Sequence, residues 1–101
     1  MEGYKMNKVL QNNLNEKLKE IYERANKEAS DNWDDHKVFY ADVVNCTEDV
    51  IEVDLLLGKY DAKGYRIEFN LTNNTYKVKY GKETPLVEEI VQYFIYPAIF
   101  G

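Results

Sequence analysis

The chain has 101 residues, 45% of them apolar and 14% aromatic, with a formal net charge of -5 and a pI near 4.9. A chain of this length is expected to form one domain, residues 1–101, and its apolar share excludes a disordered polymer. Its acidic balance makes nucleic-acid phosphate a repulsive partner, and no run approaches the roughly 18 apolar residues of a membrane span.

Residues 1–8 are polar and charged and lack the apolar run of a signal peptide. The single Cys46 cannot form an internal disulfide, which fits a reducing compartment, so a cytoplasmic location without a membrane is expected. From about residue 7 to 32, Val9, Leu10, Leu14, Leu18, Ile21, Tyr22, Ala25 and Ala29 recur at steps of three and four, the spacing of one helical face. Glu20 with Arg24 and Glu23 with Lys27 support the solvent side. Asn12, Asn13 and Asn15 are poor helix formers, and Asn13-x-x-Glu16 has the form of a capping box, so the pattern leaves open a break into two helices.

Ser30-Asp31-Asn32 ends the helical pattern, and four strands are expected near residues 38–45, 50–57, 65–71 and 75–80. The second alternates cleanly, with Ile51, Val53, Leu55 and Leu57 inward and Glu52 and Asp54 outward. Asn73-Asn74 can supply both left-handed residues of a type I′ turn. That turn sets Leu71 opposite Tyr76, Phe69 opposite Val78 and Ile67 opposite Tyr80, with Glu68 facing Lys79 and Asn70 facing Lys77.

Thr84-Pro85 then reads as N-cap and first residue of a second helix, with Leu86, Ile90, Val91, Phe94 and Ile95 as its apolar stripe and Pro97 as its stop. The closing segment YFIYPAIF, residues 93–100, is expected to fold back on the core; the alternative is a greasy patch that makes a homodimer. The fold class is α+β. The order α-β-β-β-β-α gives a two-layer sandwich, a four-stranded antiparallel meander packed against a long N-terminal and a short C-terminal helix.

The one cluster with metal-ligating groups close in sequence is Asp31, Asp34, Asp35 and His36. It lacks the glycine-centred spacing of a calcium loop and the Cys or His partners of a zinc site, so a solvated helix-to-strand connection is the reading preferred over a small metal- or ligand-binding site. Glu52, Asp54 and Glu68 resemble the acids of metal-dependent nucleases, but Glu68-Phe69-Asn70 has asparagine where that chemistry needs lysine. Cys46 has no histidine within a few residues, and no phosphate loop, dinucleotide fingerprint or nucleophile elbow occurs. The expectation is therefore a protein that is not an enzyme, with no catalytic residue, cofactor or metal.

Charge is strongly polarised along the chain. Residues 28–54 hold nine acids against Lys37 alone, whereas residues 55–82 hold six bases against Asp61 and Glu68. An acidic zone of this kind steers a basic partner, and Tyr40, Tyr60, Tyr93 and Tyr96 are candidates for exposure at an interface. Asp34, Asp35, Asp42, Glu52 and Asp54 are the expected charge contacts, with Tyr40 as aromatic anchor. The layout resembles bacterial immunity proteins and phage-encoded inhibitors, without a shared signature. The functional expectation is a binding inhibitor, immunity protein or antitoxin, that masks a basic cleft of a toxin or nuclease. The rival is a phage-encoded inhibitor of a defence nuclease, of the anti-CRISPR kind, whose acids imitate DNA phosphates.

Overall fold

A computed structural model describes residues 8–101. Helix α1 runs unbroken over Lys8–Asp31, a short 3-10 turn covers Asp35–Lys37, and four strands follow: β1 Phe39–Cys46, β2 Val50–Leu57, β3 Lys63–Asn70 and β4 Thr75–Tyr80. They form one antiparallel sheet in the order β1-β2-β3-β4. The chain closes with α2 (Pro85–Ile90), a π-helical turn (Val91–Ile95) and α3 (Tyr96–Phe100). Among the described residues no helix is long and apolar enough to cross a membrane.

One face of the sheet is apolar and takes the helices. Phe39, Val43, Ile51, Val53, Leu55, Ile67 and Phe69 are buried there against Leu18 of α1 and Val87, Val91 and Ile95 of the C-terminal segment. A bulge in β1 between Val43 and Asn45 adds one residue and reverses the alternation, so that Cys46 also points into the core.

The continuity of α1 past Asn15 and Asn26 has tertiary support. β1 is an edge strand, and alternate residues turn their N–H and C=O away from β2. Asn26 answers Phe39 with both ends of its amide, Nδ2 donating to the carbonyl at 2.8 Å and Oδ1 accepting from the amide at 2.9 Å. Farther along, Asn15 Oδ1 accepts from Val43 N at 2.6 Å and Gln11 Nε2 donates to Val43 O at 2.9 Å. The helix thus presents a row of amides in place of a neighbouring strand. An asparagine whose amide is bonded to another element no longer competes for its own backbone, which is what makes it a weak helix former elsewhere.

The β3–β4 register differs from the sequence expectation by two residues. Phe69 stands opposite Tyr76, Glu68 opposite Lys77 and Asn70 opposite Thr75, so the loop is residues 71–74 and not an Asn73-Asn74 pair. Only Asn74 of the two is left-handed, at φ 57°. The reason is Asn70, whose Oδ1 accepts from Thr72 N at 2.9 Å and Asn73 N at 3.4 Å and so starts the turn earlier than a type I′ geometry would. A shift of two preserves the faces, which is why Phe69 and Ile67 remain inward. Nearer the other end, a bulge on β4 inserts Lys79 and carries Tyr80 opposite Arg66 rather than Ile67, onto the open face. Gly81, at φ 98°, then ends the strand, and a Cβ there would run into the Tyr65 ring.

Thr84 caps α2 as expected, its Oγ1 accepting from Val87 N at 3.2 Å. Pro97 does not stop the helix. The turn before it widens so that Tyr96 N bonds to Val91 O, five residues back, and the proline ring is accommodated without the clash an α-turn would impose. The rest of the segment then folds onto the core. Phe69, Tyr76, Tyr96 and Phe100 form a contiguous ring cluster with centroid spacings of 4.5–6.3 Å, and Tyr96 Oη donates to Asn74 O at 2.9 Å. Tyr96 is therefore only partly exposed, unlike Tyr60 and Tyr93.

Replacing Asn26 by Ala removes two hydrogen bonds and strands the β1 edge, and is expected to cost about 2 kcal/mol in urea-monitored unfolding. The exposed Asn12, which caps nothing among the described residues, behaves oppositely, and Asn12→Ala is expected to stabilise by about 0.5 kcal/mol in the same assay.

Candidate functional site

The helix-free face of the sheet is crossed by rows of side chains fixed by strand register. Tyr40, Leu56 and Gly64 form one row, and Asp42, Asp54, Arg66 and Tyr80 the next. Asn45, Glu52, Glu68 and Lys77 form the third. Two of these rows set acids directly against each other, Asp42 against Asp54 and Glu52 against Glu68, an arrangement that repels unless cations intervene.

Cations do intervene. Arg66 clamps Asp54 with two bonds, Nε to Oδ1 and Nη2 to Oδ2, the second at 3.2 Å. Lys79, pushed out by the β4 bulge, reaches Glu52 at 2.7 Å and Glu68 at 3.4 Å, and Lys77 lies 3.6 Å from Glu68. The hydrogen bond from Lys79 holds the Glu52 carboxyl below its ordinary value, against the opposing effect of burial, and Asn45 adds a further bond at 3.2 Å. The same partnership raises Lys79, and the bond to Asp54 raises Arg66. The acidic and basic halves of the sequence are thus folded against each other.

Asp42 is the exception. It is exposed, faces Asp54, and has no hydrogen bond or ion pair among the described residues. Beside it lies a cavity of about 830 Å³, walled by Tyr22, Tyr40, Leu56, Tyr65 and Tyr80 and floored by Asp42, Asp54, Arg66 and Lys79. Gly64 leaves room there, contributing no side chain between Leu56 and β4. Tyr22 packs edge-on to Tyr40 at 5.3 Å. Burial first, then the charges of Glu23 and Asp42, pushes the Tyr22 hydroxyl up, so it remains protonated. Tyr40 and Leu56 are each 47% exposed and Tyr80 70%.

Comparison with protein-family models, with curated proteins and with solved structures finds no match to this chain. The site therefore stands on its own geometry.

Of the six residues expected at an interface, Tyr40, Asp42, Glu52 and Asp54 share this face. Asp34 and Asp35 do not. Asp34 lines a second groove, of about 540 Å³, between α1 and the C-terminal helical segment, and Asp35 lies 4.0 Å from Lys59 at the end of the sheet. Asp31 pairs with Lys27 at 3.3 Å, and among the described residues no three His, Cys, Asp or Glu side chains converge on a point that could hold a metal ion. Sequence reasoning missed Leu56, Arg66 and Tyr80. Leu56 carried a signal, being apolar at an outward position of an alternating strand; Tyr80 carried none, since its face depends on the bulge.

Cys46 is fully buried and burial pushes its thiol up. It is expected to resist thiol reagents in the native protein and to react only at the rate of unfolding, which a labelling time course in increasing urea would read.

The ion pairs predict a pH signature. Glu52 holds its proton less tightly in the folded than in the unfolded chain, so its stabilisation is fully present above the ordinary value of 4.5 and is lost as pH falls through the folded one. Lys79→Met leaves Glu52 and Glu68 facing each other without their shared cation. The variant is expected to unfold at lower urea than the wild type at neutral pH, with the gap closing as the pH approaches ~3.

Proposed function

We propose that this chain is a non-enzymatic binding domain of the inhibitor type, an immunity protein or antitoxin, that receives a basic region of a toxin or nuclease on the open face of its sheet. The observation that carries the reading is the unpartnered Asp42 carboxylate set among exposed Tyr40, Leu56 and Tyr80. Tyrosine with buried apolar area and a charge awaiting its counterpart is the composition of an energetic centre in protein interfaces. The sheet supplies rigidity, so little conformational entropy is lost when a partner docks.

The ion pairs change how the acidity acts. Glu52 and Asp54 are already neutralised by Lys79 and Arg66, so they orient the surface more than they attract, and Asp42 carries the local attraction. The rival reading, in which a row of acids imitates DNA phosphates, draws less support from this face because those two carboxylates are occupied.

Tagged protein incubated with lysate of its host is expected to retain a basic partner. Asp42→Lys and Tyr80→Glu should each weaken that interaction at least about tenfold in a titration with the purified partner. Glu20→Lys, on the exposed side of α1, should leave it unchanged. Retention of the partner by both face variants, with melting temperatures equal to wild type, would remove the open face from consideration.

A further inference from the structure

Trp33, the single tryptophan, occupies an unusual position. Asp34 N bonds to Ala29 O at 2.7 Å and Trp33 N to Ser30 O at 3.2 Å, the pair of bonds that closes a helix in a Schellman motif. Trp33 is the left-handed residue of that motif, at φ 61°, where glycine is strongly preferred and a bulky side chain is strained. Its side chain relieves none of that strain by packing, because the residue is 91% exposed. The fold therefore carries two local costs at one residue, a strained backbone and an indole left in water. Glycine at this position would remove both. A residue held in a strained conformation that packing does not compensate points to a role outside folding.

The receptor for such an anchor lies next to it. The groove between α1 and the C-terminal helical segment has Ile21, Ala25, Phe39, Ile90 and Phe94 in its walls, and Asn32 and Asp34, the chain neighbours of Trp33, at its mouth. Trp33 does not itself line the groove but is flanked in the chain by two residues that do, so knob and hole are neighbours, as a closed two-fold interface requires, since each patch must present both. The lining also carries both signs of charge, Arg24 and Lys37 against Glu28, Asp34 and Glu89, so a second copy finds cations there for its acids and acids for its cations. Tyr93, in the same lining and 71% exposed, adds apolar area to the contact.

We propose that two copies of this chain associate through this side, Trp33 of each entering the groove between α1 and the C-terminal helical segment of the other. The open face of the sheet is left free, so the dimer neither requires nor excludes a partner there. It is the segment from Ser30 to Asp34, together with the groove, that makes the contact, and not the C-terminal segment alone.

Because Trp33 is the only tryptophan, its fluorescence reports the contact directly. Raising the protein from low micromolar to near-millimolar concentration is expected to shift its emission to the blue, reduce acrylamide quenching, and move the sedimentation mass from monomer toward dimer in parallel. Trp33→Gly is expected to remain monomeric over the same range while its melting temperature, taken where monomer dominates, rises by a few degrees as the strain is lifted. Ala25→Glu, which obstructs the groove and leaves Trp33 in place, should also stay monomeric, with circular dichroism checking that it is folded. A wild type that remains monomeric with fully quenchable tryptophan at the highest concentration would overturn the proposal. So would a dimer that persists unchanged in Trp33→Gly.

Discussion

The backbone of β1 needs hydrogen-bond partners on the side away from β2, and the amides of Gln11, Asn15 and Asn26 supply them at Phe39 and Val43. An open strand edge is a template for aggregation, and a helix cannot normally close it because its own backbone groups are bonded internally. Amide side chains solve this, since each carries a donor and an acceptor at the end of a short arm. Their spacing along α1 fixes where the helix sits on the strand, and with it the placement of Leu14 and Leu18 in the core. Tyr22 is brought against Tyr40 at the margin of the open face by the same docking. The opposite edge, β4, is treated differently, with a bulge and two lysines in place of a covering element.

That bulge links the sheet edge to the chemistry of its open face. Without the extra residue, Lys79 would alternate regularly and Tyr80 would turn toward the core side. With it, Lys79 bridges two acids on neighbouring strands and Tyr80 joins the wall of the cavity. Each exposed ion pair contributes little by itself. Their joint effect is to let four acids occupy adjacent strands while, among the described residues, Asp42 alone of the four is without a counterion.

Two regions therefore stand apart from the demands of folding, the Asp42 cavity and Trp33. Elsewhere local preference and tertiary packing agree: Thr84 caps its helix, and Phe69 and Ile67 fill the core. At Asp42 two like charges face each other across a strand pair, and at Trp33 the backbone adopts a conformation suited to glycine. Departures of this kind mark positions whose residue choice the local preferences of folding do not explain.

The sequence by itself determined the element order, the two helical stripes apart from Val9, which is 72% exposed, the inward faces of β2 and β3 and the cap at Thr84. These follow from periodicity and from side chains acting on their own backbone, both of which are local. It also brought Tyr40, Asp42, Glu52 and Asp54 onto one face, because alternation in two adjacent strands is enough for that. The tertiary structure alone decided what depends on contacts between distant segments. β1 takes up the amides of Asn15 and Asn26 and so offsets their weak helix preference, whereas Asn12 and Asn13 are carried in the helix exposed. The hairpin register was set by the Asn70 side chain competing with the turn residues, and the face of Tyr80 by a bulge that no local pattern announces. Pro97 was passed because the packed segment tolerates a widened turn. Two carboxylates of the acidic zone, Asp54 and Glu52, are met by Arg66 and Lys79 because antiparallel pairing lays those cations across it, and such pairing joins residues whose separation in sequence carries no trace of their contact.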